Sequence, residues 1–162
     1  MNIFEKVFRE LNKTKVDYLV VGGVAVNLYG YVRFTGDLDL LVLLNEKNIQ
    51  KMDKVMKKLG YYPRLPVSIY ELGKKEKVKE WFKKKNLKAF TFMPPQHNPL
   101  EIDIIIEESL KFDIIAKNKI VKQIEKVRIP VVSVEQLLKM KRKAGRPNDI
   151  QDIKALLALK GL

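Results

Sequence analysis

Cysteine is absent from this chain of 162 residues, and histidine occurs once. The absence of cysteine excludes disulfide bonds, thiolate metal sites and a cysteine nucleophile, and it fits a reducing environment such as the cytoplasm. The single histidine, His97, lies in a proline-rich loop and has no partner for a catalytic triad or a zinc site. We therefore expect His97 to be a surface loop residue.

Long apolar runs are also missing, since no stretch approaches the ~18–20 residues needed to cross a bilayer. The first residues lack the pattern of a signal peptide. Both features predict a soluble, cytoplasmic protein without a membrane partner. The length suits one compact domain, and a hydrophobic content of 46% supports a sizeable core. We predict a single domain over residues 1–162.

Acidic residues are outnumbered by basic ones, 19 against 32, which gives a net charge of +13. A charge of this size attracts polyanions, and nucleic acid is the obvious candidate. The alternative is a set of solvated, lysine-rich helix faces, as in heat-adapted proteins. Residues 74–88 allow the same two interpretations. Their eight lysines surround Trp81 and Phe82, which predicts either an RNA-binding face or a helix whose aromatic residues belong to the core.

The hydrophobic periodicity predicts helices that alternate with strands. The predicted helices cover residues 2–12, 24–29, 45–59, 74–85 and 134–143, with a last one from Pro147. The predicted strands cover residues 16–21, 37–43, 87–92 and 99–106, and the last two pair around a proline-containing loop. Residues 133–162 are expected to form a helical pair whose second helix buries Ile150, Ile153 and Leu157. The order indicates an α/β (α+β) fold, a mixed twisted sheet with flanking helices.

Two aspartates, Asp37 and Asp39, are separated by one residue on a predicted strand, so both side chains lie on the same face. Like charges this close raise each other's pKa unless a cation lies between them. Hard oxygen ligands suit Mg²⁺ or Mn²⁺. Asp103 and Glu101 share one face of another predicted strand, and Asp103, which lies deeper in the apolar run, is the better candidate for a third ligand. Such a pair can also be an ordinary feature of a surface strand.

The order of the glycine pair, the aspartate pair and the later aspartate along the chain makes the pattern specific. Val20-Val21-Gly22-Gly23-Val24-Ala25 ends a buried strand and begins a short helix; Arg33-Phe34-Thr35-Gly36-Asp37-Leu38-Asp39 and Leu100-Glu101-Ile102-Asp103 follow. This order resembles the nucleotidyltransferase superfamily, which shares its palm-like fold with DNA polymerase β. The closest likeness is to small stand-alone members related to the AbiEii-type toxins. Residues 137–152 resemble the C-terminal stretch of those proteins, whereas residues 60–90 match least.

The resemblance implies a catalytic role for three acidic residues. Asp37 and Asp39 would bind two divalent ions, and Asp103 would bind the catalytic one and help deprotonate the acceptor hydroxyl. The substrate would be a nucleoside triphosphate, and pyrophosphate would be released.

Nucleotide-binding roles are implied for six further residues. The backbone N–H groups of Gly22 and Gly23 would cradle the triphosphate. Arg33 and Thr35 would contact the nucleotide; alternatively they belong to a solvated loop. Lys141 and Arg142 would face the triphosphate, or complement a helix dipole. Asp149 and Asp152 are expected to form local ion pairs or caps.

The sequence departs from the family pattern at two positions. Many relatives have serine where this chain has Gly23, and a histidine where it has Tyr29, so one phosphate contact and one imidazole have no counterpart here. Acceptors in the resembling families include transfer RNA ends, protein hydroxyls and aminoglycoside or lincosamide antibiotics. The toxin-like relatives also imply a partner or antitoxin protein. Two alternatives remain: a non-catalytic module that binds nucleotide or nucleic acid, and a structural domain whose acidic pair is incidental.

Overall fold

A seven-stranded mixed sheet forms the centre of the computed structural model, which describes residues 2–161. In spatial order the strands are β3-β4-β5-β2-β1-β7-β6. The strands are β1 (Tyr18–Val21), β2 (Asp37–Val42), β3 (Tyr62–Pro63), β4 (Ala89–Met93), β5 (Glu101–Ile105), β6 (Ile120–Ile124) and β7 (Val127–Val131). The helices are α1 (Ile3–Lys13), α2 (Gly22–Leu28), α3 (Glu46–Lys58), α4 (Lys75–Lys83), α5 (Phe112–Ile115), α6 (Val134–Ala144) and α7 (Pro147–Leu159). Two short 3-10 turns cover Ile69–Gly73 and Ala116–Asn118.

Local hydrogen bonds set the start of three helices. The side chain of Asn2 accepts a hydrogen bond from the Glu5 N–H, that of Asn45 from the Asn48 N–H, and that of Ser133 from the Gln136 N–H. Each bond satisfies a backbone donor that has no partner within the helix. Gly145 ends α6 in the left-handed conformation (φ 61°). These helices begin where the sequence predicts them because the signals are local.

The sheet brings together strands that are far apart in sequence. β2 lies between β1, to which it is antiparallel, and β5, to which it is parallel. β4 pairs antiparallel with β5, as predicted for the strands around the proline loop. The side chains of Leu38, Leu40, Ile102 and Ile104 are buried in the core. The other faces of β2 and β5 consequently present their carboxylates together.

The predicted fold class, a mixed sheet with flanking helices, is confirmed. The β6–β7 hairpin is not among the predicted strands, because its turn lacks glycine and asparagine; Glu125 adopts a positive φ of 53° there instead. Within residues 2–161, no helix is long and apolar enough to cross a membrane.

One core prediction is wrong. Ile150 is 48% exposed, although periodicity predicts that it faces inward from α7. The inward positions near the start of α7 belong instead to two buried acidic residues, Asp149 and Asp152. The apolar residues that contact the core lie further along the helix: Ile153, Leu156 and Leu157. The helix tolerates a polar inner face at this end because cations from other elements meet it.

Candidate active site

Four carboxylates lie on one face of two adjacent strands. In the parallel register of β2 and β5, Asp39 is opposite Asp103 and Asp37 is opposite Glu101. Residues that alternate along a strand point to the same side, so the pairs form a small acidic cluster. We call Asp37, Asp39 and Asp103 the acidic cluster. The structure thus brings Asp103 next to Asp37 and Asp39, from which more than sixty residues of sequence separate it.

Burial and mutual repulsion raise the pKa of two members of this cluster. The pKa of Asp39 is raised from 3.8 to about 7, first by burial and then by the charges of Asp103 and Asp37. Lys141 and Arg146 oppose this rise in pKa without cancelling it. Burial, the charge of Asp103 and a hydrogen bond with Glu101 also raise the pKa of Asp37. The nearby cations therefore do not offset the combined effect of burial and of repulsion between the carboxylates on Asp39.

Neighbouring strands contribute two polar residues that sequence patterns do not indicate. The Thr91 hydroxyl on β4 donates a hydrogen bond of 2.6 Å to Asp103 Oδ1, and Arg64 forms an ion pair with Glu101. Thr91 lies opposite Asp103 in the antiparallel register. The position of the Thr91 side chain beside Asp103 therefore results from the pairing of β4 with β5, which a single sequence does not reveal.

Within residues 2–161, no three acidic or histidine side chains already converge closely enough to hold a metal ion. The Asp39 carboxylate is directed towards Gly22, where an added Cβ would lie 2.0 Å from Oδ2, and Asp103 is engaged by Thr91. The donors themselves still fit a divalent cation. Carboxylate oxygens are the ligands that Mg²⁺ prefers, and a cation would relieve the repulsion that raises the pKa of Asp37 and Asp39.

The glycine pair lies directly against the acidic cluster. Gly22 has a φ of +68°, and any side chain there would displace the Asp39 carboxylate. At Gly23 an added Cβ would lie 2.8 Å from Thr35 Oγ1 and 3.1 Å from Arg33 Nη2. The pair begins α2, which has only seven residues. The positive φ and the close approach of Asp39 explain glycine at position 22, whereas at position 23 a side chain would require Thr35 and Arg33 to shift.

A buried ion network lies beside the glycine pair. Arg33 donates two hydrogen bonds of 2.7 Å to Asp152 through Nε and Nη2. The buried Lys141 Nζ lies 2.9 Å from Asp152 and 3.1 Å from Asp149, and Arg146 pairs with Asp149 at 2.7 Å. We call these five residues the ion network. It joins the loop before β2 to α6 and α7. Asp149 forms the expected local pair with Arg146, whereas the partner Arg33 of Asp152 is 119 residues away.

The network stabilises the charged forms of its two acids. Burial would raise the pKa of Asp149, but hydrogen bonds from Arg146 and Lys141 outweigh it and hold the pKa below 3.8. Burial likewise opposes ionisation of Asp152, and Arg33 and Lys141 lower its pKa below the same value. Positive charge from Lys141 also reaches Asp39. The network is thus a fixed cationic element behind an acidic site.

Two other predicted residues lie apart from this arrangement. Arg142 is exposed on α6, and within residues 2–161 no hydrogen bond or ion pair joins it to another side chain. Trp81 is buried, with its ring centroid 6.2 Å from that of Phe90. Trp81 therefore contributes to the core, and RNA binding by the lysines of α4 stays a prediction.

A family model described as "Nucleotidyl transferase AbiEii toxin, Type IV TA system" matches residues 9–160. No curated protein sequence matches the chain.

Several solved structures share the fold. The lincosamide antibiotic adenylyltransferase LnuA, solved with lincomycin bound, has a TM-score of 0.63 at 16% identity, over 96% of this chain and 95% of its own. ANT(2")-Ia in complex with adenylyl-2"-tobramycin has a TM-score of 0.62 at 11% identity, over 96% of this chain and 86% of its own. A nucleotidyltransferase-like protein from Paracoccidioides brasiliensis has a TM-score of 0.57 at 17% identity, covering 94% and 72%. At these identities the likeness concerns the fold.

Proposed function

This chain belongs to the AbiEii family of nucleotidyltransferases, and from that membership we propose that its acidic cluster transfers a nucleoside monophosphate from a nucleoside triphosphate to an acceptor hydroxyl. In this reaction the acceptor oxygen bonds to the α-phosphorus, and the bond from that phosphorus to the bridging oxygen breaks. Pyrophosphate leaves with the electron pair, and the proton of the hydroxyl passes to a carboxylate or to solvent.

The register of β2 against β5 is the observation that carries the proposal. It places Asp39 opposite Asp103, and burial together with the neighbouring carboxylates raises the pKa of Asp37 and Asp39. Asp37, Asp39 and Asp103 would hold two divalent cations, Mg²⁺ or Mn²⁺. When bound, such cations neutralise charge on the attacking and leaving oxygens.

Residues of the cluster have distinct tasks in this proposal. Thr91 holds one oxygen of Asp103, which orients the carboxylate to accept the proton of the acceptor hydroxyl. With its pKa near 7, Asp39 is partly protonated at neutral pH in the absence of cations. Cation binding therefore competes with protons, and we expect the cation concentration needed for half-maximal activity to fall as the pH increases towards about 7.

Nucleotide binding is proposed for the glycine pair and the elements around it. The Gly22 and Gly23 backbone would contact the triphosphate next to the cluster, where a side chain would collide with Asp39, Thr35 or Arg33. Arg33 and Lys141 are engaged with buried carboxylates, so we assign them an electrostatic role behind the phosphates. Thr35 and the exposed Arg142 are proposed to contact the nucleotide directly.

RNA, including the ends of transfer RNA, is the acceptor class that the charge favours. The net charge of +13 attracts a polyanion and repels cationic antibiotics. We also propose an antitoxin partner, because the family model describes a toxin–antitoxin system.

Incubation with α-labelled triphosphates, Mg²⁺ and total RNA tests the proposal. Wild type should label RNA with at least one of the four nucleotides. Asp37→Asn/Asp39→Asn should label at least about 10³-fold less, whereas Asp113→Asn, an exposed acidic residue of α5, should label normally. If label stays unincorporated with every nucleotide while Mg²⁺-triphosphate still raises the melting temperature, the chain is a binding module and not an enzyme.

A further inference from the structure

Two apolar side chains protrude from the loop that leads into β2. Phe34 is 91% exposed and Val32 is 85% exposed. The next most exposed large apolar side chain among residues 2–161 is Ile114, at 63%. Two large apolar side chains this exposed within three residues are candidates for an interaction site. We call Val32 and Phe34 the ledge.

Polar contacts of Arg33, the residue between Val32 and Phe34, fix the conformation of the ledge. The Arg33 backbone N–H donates to Asn27 Oδ1, and the guanidinium binds the buried Asp152 through two nitrogens. The remaining nitrogen, Nη1, donates a hydrogen bond of 2.9 Å to the Phe34 carbonyl oxygen. Arg33 is directed inward, and the side chains before and after it are exposed. The buried ion pair thus maintains the exposure of the ledge.

The Phe34 ring lies beside Gly36, the residue that precedes Asp37. Its Cε1 and Cζ atoms lie 3.8 and 3.9 Å from the position of a Cβ on Gly36. Thr35, the next residue, donates a hydrogen bond to the Asp37 carbonyl oxygen, and its Oγ1 lies 2.8 Å from the position of a Cβ on Gly23. Three residues span at most about 10 Å, so the Cα atom of Phe34 is within about 10 Å of that of Asp37.

The charge of the surroundings identifies what the ledge would bind. The whole chain carries +13, and two mostly exposed arginines act on the cluster: Arg146 on Asp39 and Arg64 on Asp37. An exposed aromatic ring on a chain with this net positive charge is an arrangement that stacks unpaired nucleobases. An apolar, uncharged protein segment could pack against the ring, but the net positive charge of the chain would not attract it.

Resting on the proposed function, we infer that the ledge is an acceptor-positioning platform on which Phe34 stacks an unpaired base of single-stranded RNA. Because successive nucleotides of a strand are about 3.4 Å apart, the stacked base lies within about three nucleotides of the hydroxyl that receives the nucleotide. Phe34 is a positioning residue in this arrangement. The Phe34 ring positions the RNA strand, and the acidic cluster acts on the accepting hydroxyl of that RNA.

Binding of a fluorescein-labelled single-stranded RNA 12-mer, measured by anisotropy without triphosphate, tests the inference independently of catalysis. Stacking changes affinity about five- to hundredfold per base, so Phe34→Ala should weaken binding about tenfold. Phe34→Tyr should bind like wild type, since it keeps the ring. Ile114→Ala, which removes an exposed apolar side chain elsewhere, should also bind like wild type. The exposure of Phe34 predicts unchanged melting temperatures in all three variants.

A second experiment locates the stacked base. Single abasic substitutions should weaken wild-type binding most at one of the last three positions before the accepting end, and should have no further effect there in Phe34→Ala. The inference is overturned if Phe34→Ala binds single-stranded RNA as tightly as wild type. It is equally overturned if Phe34→Ala loses as much affinity for blunt duplex RNA as for single-stranded RNA. Two other results would also overturn it: weaker binding of an unfolded protein with normal binding of RNA, or a higher KM for the triphosphate as the only change. In each case label transfer by wild type would still support the proposed function.

Discussion

Replacing Asp39 with asparagine should make the protein more stable at neutral and alkaline pH. Asparagine has nearly the same shape as aspartate, so the packing against Gly22 is retained. The substitution removes a negative charge whose formation the folded state resists. Burial, Asp103 and Asp37 together raise the pKa of Asp39 from 3.8 to about 7. The proposed cations would bind to this same negative charge of Asp39.

The magnitude follows from the difference between the two pKa values. Below pH 3.8, Asp39 is protonated in the folded and unfolded chains alike. As the pH rises from there to about 7, only the unfolded chain releases the proton, and wild type loses about 1.4 kcal/mol of unfolding free energy per pH unit. The cumulative loss at pH 8 is at most about 4 kcal/mol. The asparagine side chain of the variant cannot titrate, so the advantage of the variant should grow over this range and then remain constant.

Urea denaturation of wild type and Asp39→Asn between pH 4 and 8, in buffer containing EDTA, measures this difference. The two proteins should be equally stable near pH 4, and the variant should be more stable at pH 8 by up to about 4 kcal/mol, or about 10 °C in Tm. Asp113→Asn, on the exposed side of α5, should follow wild type at every pH. Adding Mg²⁺ at pH 8 should stabilise wild type and leave Asp39→Asn nearly unchanged.

A constant difference between wild type and Asp39→Asn across this pH range would refute the reasoning, because it would show that ionisation of Asp39 costs the fold nothing. A variant less stable than wild type at pH 8 would also refute it. That result would mean that the Asp39 carboxylate makes a favourable contact stronger than its repulsion from Asp103 and Asp37.

Three further substitutions test the surroundings of the cluster. Lys141→Met should lower the free energy of unfolding at pH 7 by about 3–5 kcal/mol in urea, because two buried carboxylates lose a shared cation; a loss below about 1 kcal/mol would contradict the buried network. Gly22→Ala should abolish label transfer, whereas Gly36→Ala, where an added Cβ meets nothing closer than 3.8 Å, should retain it. Thr91→Val should reduce kcat about tenfold without changing KM for the triphosphate, since Asp103 loses the hydrogen bond that orients it; an equal rise in KM would indicate a role in binding instead.

Much of the fold follows from local signals. The starts of α1, α3 and α6 are set by a side chain that accepts a hydrogen bond from a backbone N–H within the same few residues. The sharing of one face by Asp37 and Asp39 depends only on the two-residue period of a strand. Such features need no knowledge of distant contacts, so they can be predicted from the sequence.

Other features depend on contacts between distant segments. Periodicity alone predicts that Ile150 is buried, yet α7 turns Asp149 and Asp152 inward because Arg33 and Lys141 meet them there. The partners lie on other elements, and one of them is more than a hundred residues away. Periodicity cannot distinguish an inward aspartate from an exposed one when its counter-ion comes from elsewhere.

The sequence by itself determined the alternation of helices and strands, the positions of the aspartates on their strands and the excess of positive charge, because these depend on neighbouring residues or on composition. Only the tertiary structure decided that Asp103 lies opposite Asp39, that Thr91 engages it, and that Phe34 is held outside while Arg33 is held within. Those relations arise from strand register and from ion pairs between distant segments. They are fixed only when the whole chain has packed.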